Sequence, residues 1–211
     1  MTNEEYLQEI EQYIIQLKQY KEESKTLAAG MIGENFTQDE MFFVSALNRR
    51  VQFIDGIVVL LRERNLTCAG VLVRTQLDNL MRVFAAFISK DRQKFVDDYL
   101  KGKAIRNMLD VDDNKMTDVY LKGRISEYYP EIDEIYNRSS GYVHLSSVAF
   151  HETFWSDGEN SLQFAIGFPP REELNIILIE CAEVFCYFTK AEFDLFQKVS
   201  DSKSDFDKRL N

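Results

Sequence analysis

Residues 67 to 89 carry apolar side chains on nearly every side of a helix, and this stretch dictates most of what the chain can become. At 3.6 residues per turn, Val73, Leu77, Leu80, Phe84 and Phe87 form one stripe, and Val71, Met81, Ala85 and Ile88 form another. A helix that is apolar all round belongs at the centre of a bundle, covered by other helices. A break at Asn65 and Leu66 precedes it, with Thr67 as the expected cap. Upstream, Thr37, Asp39 and Glu40 mark a helix start, and Phe43, Leu47, Val51, Ile54, Val58 and Leu61 carry one stripe to about Arg64. So short a connection folds the two helices back against each other.

The remaining segments supply the cover. Residues 3 to 28 place Tyr6, Ile10, Tyr13, Ile14, Leu17 and Tyr20 at helical spacing, with Glu4 and Glu5 at the favourable amino end and Gly30 and Gly33 as punctuation. Shorter helices are expected over 92–101, 103–109 and 115–127, broken by Gly102, the Asp112-Asp113-Asn114 cluster and Gly123. After Pro130 a further helix uses Ile132, Ile135, Tyr136 and Val143 and should end near Ser146. From 148 to 167 the period changes: Phe150, Glu152 and Phe154, then Leu162, Phe164 and Ile166, alternate around Ser156-Asp157-Gly158-Glu159-Asn160, the pattern of a β-hairpin. Pro169, Pro170 and the acidic Glu172 and Glu173 open a last long helix from Leu174 to Val199, with a polar tail expected to fray beyond Ser200. The expectation is a mainly α protein, an antiparallel helical bundle over 38–200 with one small hairpin, all in a single domain of residues 1–211.

Charge and composition narrow the function. A net charge of −10 counts against a broad backbone-tracking nucleic-acid binder, so no DNA partner is expected, while a small local RNA site stays open. The basic stretch from Lys90 to Arg106 reads as a solvated helix face. No window approaches the roughly 20 apolar residues of a membrane span, and the first residues lack a basic segment followed by an apolar one, so a cytoplasmic protein is expected. Cys68, Cys181 and Cys186 are odd in number and widely set, which predicts buried thiols in a reducing compartment. With two histidines, no zinc spacing, no Gly-rich phosphate loop and no serine elbow, neither a metal nor a cofactor is expected.

Two constellations could carry chemistry. Arg74 and Asp78 lie four apart on a face shared with Val71, Met81 and Ala85, so each needs the other, another partner or a ligand anion. That pair reads either as an internal ion pair fixing helix packing or as an anion-binding Arg oriented by a carboxylate. Later, Tyr136, Ser140 and His144 recur at four-residue steps along one helical stripe, with Arg138 displaced but long enough to bend back. His144 is the better acid–base candidate, since His151 falls in the expected hairpin with no Arg at a comparable spacing before it.

Arg138, five intervening residues and His144, late in an all-helical domain, resemble the Arg/His motif of HEPN-domain ribonucleases. More broadly, LVRTQLDNLMRVFAAFISKD and YNRSSGYVHLSS resemble a family of uncharacterised bacterial HEPN-like proteins, over about residues 40 to 200. The resemblance implies a metal-independent endoribonuclease in a toxin or antiviral defence setting. Arg138 would hold the scissile phosphate and His144 would move protons, with a composite site across a homodimer and RNA as the further partner. Ser139 stands where those nucleases have Asn, Asp or His. The competing reading is a catalytically inert HEPN-like helical module for binding or dimerisation, in which Arg74, Asp78, Tyr136 and His144 form an internal polar network with Ser140 in support. A small-anion binder using Arg74 and the basic stretch is the third.

Overall fold

The central helix is where its sequence requires it to be. In the computed structural model it runs over Leu66–Ile88 as α3, with Leu77, Leu80, Met81, Val83, Ala85 and Ala86 all fully buried. It is covered by α2 (Gln38–Arg62), α5 (Asp118–Ser126), α6 (Glu131–Val143) and α8 (Asn175–Leu210). Outside these lie α1 (Asn3–Ile32), packed along α8 and α2, then α4 (Arg92–Leu100) and α7 (Ser147–Thr153). Single 3-10 turns occupy Ile105–Asn107 and Glu172–Leu174. The structure describes every residue except 33–35, 144–146, 157, 159–160, 168–170 and 211, and the backbone alone at 140, 142–143, 147–149 and 205–210. The fold is thus a mainly α bundle with one small antiparallel hairpin, and no described helix is long and apolar enough to cross a membrane.

Local chemistry explains the boundaries, including those the sequence misplaces. The turn into α3 is capped by Asn65, whose side chain accepts from the Cys68 amide at 3.1 Å, and not by Thr67. Asn is among the strongest N-caps, and the Thr67 hydroxyl is turned to another use described below. At α2 the Glu40 carboxylate reaches back to the Thr37 amide at 2.6 Å, half of a capping box. Helix α1 does not stop at residue 28. It runs past Gly30, where a Cβ would lie 2.6 Å from the Ser200 hydroxyl, so that glycine serves close approach of α1 to α8 and not termination. Nor does α8 fray after Ser200: it continues to Leu210, held by an ion pair of Lys203 with Glu40 at 2.8 Å in which both side chains are almost buried.

The hairpin is shorter than its alternating pattern suggests. Strand β1 covers only Phe154–Ser156 and pairs with β2, Leu162–Phe164, so that Phe154 faces Phe164, while residues 147–153 form α7. Phe150 and Phe154 are two apart in strand alternation but also four apart in sequence, which is helical spacing, and their rings stack at 5.0 Å. The period was therefore ambiguous, and the helix takes the first half. Cys68 is exposed, against expectation, because its position on the first turn of α3 faces outward; Cys181 and Cys186 are buried.

Candidate functional site

The seam between α3 and α6 brings Arg74 and Tyr136 together. The Arg74 guanidinium lies 4.2 Å from the centre of the Tyr136 ring, and Lys122 reaches the same ring at 5.3 Å while pairing with Asp133 at 2.5 Å. The expected Arg74–Asp78 pair does not form, and neither residue is fully buried. Asp78 instead accepts from Arg82 at 2.9 Å, and Arg82 also reaches Asp118 at 2.6 Å. The reason is directional: an acid four residues before a base is the better helical order, and Asp78–Arg82 has it whereas Arg74–Asp78 reverses it. Val71 is exposed besides, so this face is less apolar than its letters imply.

On α6, Arg138 is exposed and committed to carboxylates, donating to Glu180 of α8 at 2.6 Å with Glu134 at 3.8 Å. Ser139 is buried and donates to the Tyr136 carbonyl at 3.3 Å. His144 lies outside the described residues, as does the side chain of Ser140, so the structure does not bring Arg138 and His144 into a described geometry.

Beside Arg138 opens a cavity of about 460 Å³ between α3, α6, α7 and α8. Val73, Ile135, Ile177 and Val184 contribute to its apolar wall, and Arg138, His151, Glu152 and Glu180 supply its polar groups. The Thr67 hydroxyl donates to Glu152 Oε2 at 2.7 Å, tying α7 to the start of α3. The other oxygen of that carboxylate, Oε1, is buried with no hydrogen-bond partner among the described residues. Cys181, also on the wall, has its thiol pushed up to about 12, by burial above all, with Glu180 and Glu152 acting in the same direction and Arg138 against it. It is therefore an inert thiol and not a nucleophile. The alternating pattern placed His151 and Glu152 in the hairpin, but they lie on α7, which brings them to the cavity.

A second polar cluster is sealed in the core. Glu192 of α8 is completely buried and accepts from Gln76 Nε2 at 2.9 Å and Asn79 Nδ2 at 2.6 Å, both on α3. Arg50 of α2, equally buried, brings Nε to 3.9 Å from Glu192. Its guanidinium sits among the rings of Tyr20, Phe193 and Phe196 at 5.8, 5.6 and 6.0 Å, and none of its three nitrogens has a hydrogen-bond partner among the described residues. Burial raises the Glu192 carboxyl to about 7, against the pull of Arg50, Gln76 and Asn79. Burial also lowers Arg50, which Glu192 opposes. The signal was present in the sequence. The buried face of α2 is Phe43, Leu47, Arg50, Ile54, Ile57 and Leu61, spaced four and three, with a charge where the expected stripe took Val51.

In the basic stretch Lys90 pairs with Asp113, Lys94 and Lys103 both pair with Asp98, and Arg92 lies over the Phe87 ring at 5.3 Å. Among the described residues no group of three His, Cys, Asp or Glu could hold a metal ion. No protein-family model matches the chain, and neither a curated protein nor a solved structure matches it.

Proposed function

We propose that the chain is a HEPN-like helical binding module without hydrolytic activity, and that the cavity walled by α3, α6, α7 and α8 is its binding site. The observation that carries this reading is the pairing of an apolar cavity of about 460 Å³ with an Arg138 already held by Glu180 at 2.6 Å. Cavities of that size and lining suit small organic ligands. A phosphate-binding arginine, by contrast, needs its charge available, and here two carboxylates stand beside it in a protein of net charge −10. The neutral probe 4-phenyl-1-butanol should bind the wild-type chain in calorimetry and fail to bind Val184→Trp or Ile177→Trp, which fill the cavity. Equal binding by all three proteins would place any site elsewhere.

A metal-independent ribonuclease is the second reading, favoured by one observation. Arg74 has no carboxylate partner among the described residues and lies on Tyr136, on the helix that carries Arg138 and leads toward His144. On that reading cleavage in EDTA is lost in both Arg138→Ala and His144→Ala and retained in His151→Ala. A homodimer belongs to either reading, and light scattering on the purified chain measures it.

A further inference from the structure

We infer that the cavity takes an amphipathic amine, its apolar body against the α3, α6 and α8 walls and its protonated amino head on Glu152. The inference rests on the binding-module reading and adds the chemistry of the ligand. Its first support is Oε1 of Glu152, which is buried and has no donor among the described residues although Oε2 is satisfied by Thr67. A carboxylate oxygen without a partner beside an apolar wall is a demand for an N–H or O–H, and a turn of the carboxylate toward the cavity would let a ligand's amino head supply one.

The second support is the charge around the opening. Among the described residues two carboxylates, Glu152 and Glu180, border the cavity against one guanidinium, Arg138, which Glu134 also approaches. The sum is negative, and a cation entering there is attracted while a carboxylate or phosphate is repelled. The next cation along, Arg171, donates to the His151 carbonyl at 3.2 Å and lies over Trp155 at 4.6 Å, so neither contact neutralises Glu152. The wall then selects the rest of the molecule: Val73, Ile135, Ile177 and Val184 offer no hydrogen bonds from their side chains, which suits an alkyl or aryl body.

Calorimetric titration of the full chain with three probes of one skeleton, 4-phenylbutylamine, 4-phenyl-1-butanol and 4-phenylbutyrate, separates head from body. The amine should bind about 10-fold or more tighter than the alcohol, the size of one charge-assisted hydrogen bond, and the butyrate weakest. Glu152→Gln should erase the amine's advantage while leaving the alcohol within about twofold, since the body contacts are untouched. Glu180→Gln should weaken the amine and strengthen the butyrate, because it releases Arg138. It also provides a check should Glu152→Gln disturb the tie to Thr67. Equal affinities for amine and alcohol, or an amine-to-alcohol ratio unchanged in both variants, would overturn the head-group assignment while the cavity reading stands. Failure of all three probes to bind the wild-type chain would remove the cavity reading too.

Discussion

Removing Arg50 should cost more stability than neutralising its partner Glu192. At 3.9 Å and an effective dielectric constant of about 20, the pair attracts by about 4 kcal/mol. Both side chains are fully buried, so solvent does not discount that figure. Glu192→Gln removes the charge but keeps an acceptor oxygen, and Gln76 has a buried Oε1 with no partner that can turn to meet the new amide. The folded state already prefers the neutral carboxyl, which burial raises from 4.5 to about 7 despite the attraction of Arg50, so Glu192→Gln should change stability by less than about 1 kcal/mol at pH 5 and raise it by about 3 kcal/mol at pH 8. Arg50→Met differs because it removes packing, although Glu192 can take up a proton, its carboxyl already standing at about 7, and although three nitrogens with no hydrogen-bond partner among the described residues are relieved. About 1–2 kcal/mol is expected there, chiefly from lost packing against Tyr20, Phe193 and Phe196. At pH 5, where Glu192 is already neutral in the folded chain, the double variant should match Arg50→Met to within about 0.5 kcal/mol in a urea-unfolding cycle. A loss of about 3 kcal/mol or more in Glu192→Gln at pH 8 would show that the ionised pair stabilises the fold and that this account of the core is wrong.

The same carboxyl makes stability depend on pH. Its folded pKa of about 7 lies above the ordinary 4.5, so the folded state binds the proton more tightly than the unfolded state. Stability from this group is full below about pH 4.5 and declines as pH rises through about 7, by about 3 kcal/mol in total. Urea midpoints at about pH 5 and about pH 8 should show that fall in the wild-type chain and lose most of it in Glu192→Gln; a midpoint that rises over the interval would contradict the sign. At the α3–α6 seam, Arg74→Met should cost no more than about 1 kcal/mol, as a half-exposed cation–π contact and not a buried ion pair is lost. A loss several times larger in thermal melts would restore the buried-pair expectation. Lys203→Met should cost about 3 kcal/mol by leaving Glu40 almost buried without its partner, and unchanged melting would mean that the end of α8 is not held there.

What was legible in the sequence was whatever a single helix decides alone. The all-round apolar run at residues 66–88 announced the centre of the bundle, and the Thr37–Glu40 start was readable because capping is local. Errors arose where two periods shared the same letters, as at Phe150 and Phe154, or where a residue's use was tertiary, as with Gly30 against Ser200 and Lys203 against Glu40. Arg50 was missed because the stripe runs through Val51 as readily by spacing, whereas Leu47, Ile54 and Ile57 place Arg50 on the inner face. The cavity was out of reach, since its walls come from four helices and its Glu152 from a segment read as strand.

The two polar clusters divide the requirements of a catalytic site between them, and neither meets all. The Arg50–Glu192 cluster has a guanidinium with unused donors and a carboxyl near neutrality, the two features most useful for binding an anion and moving a proton, yet both side chains are wholly buried. Closed access turns those features toward specifying how α2, α3 and α8 pack. The cavity has the access that the core lacks, but its one arginine is bound to Glu180, its cysteine is held protonated by burial, and its unmet need is the acceptor oxygen of Glu152. An open apolar volume with an unmet acceptor receives a donor and holds it; a phosphodiester brings acceptors and negative charge to a place that already has both. For the described residues, that contrast supports the proposed binding module over the ribonuclease reading.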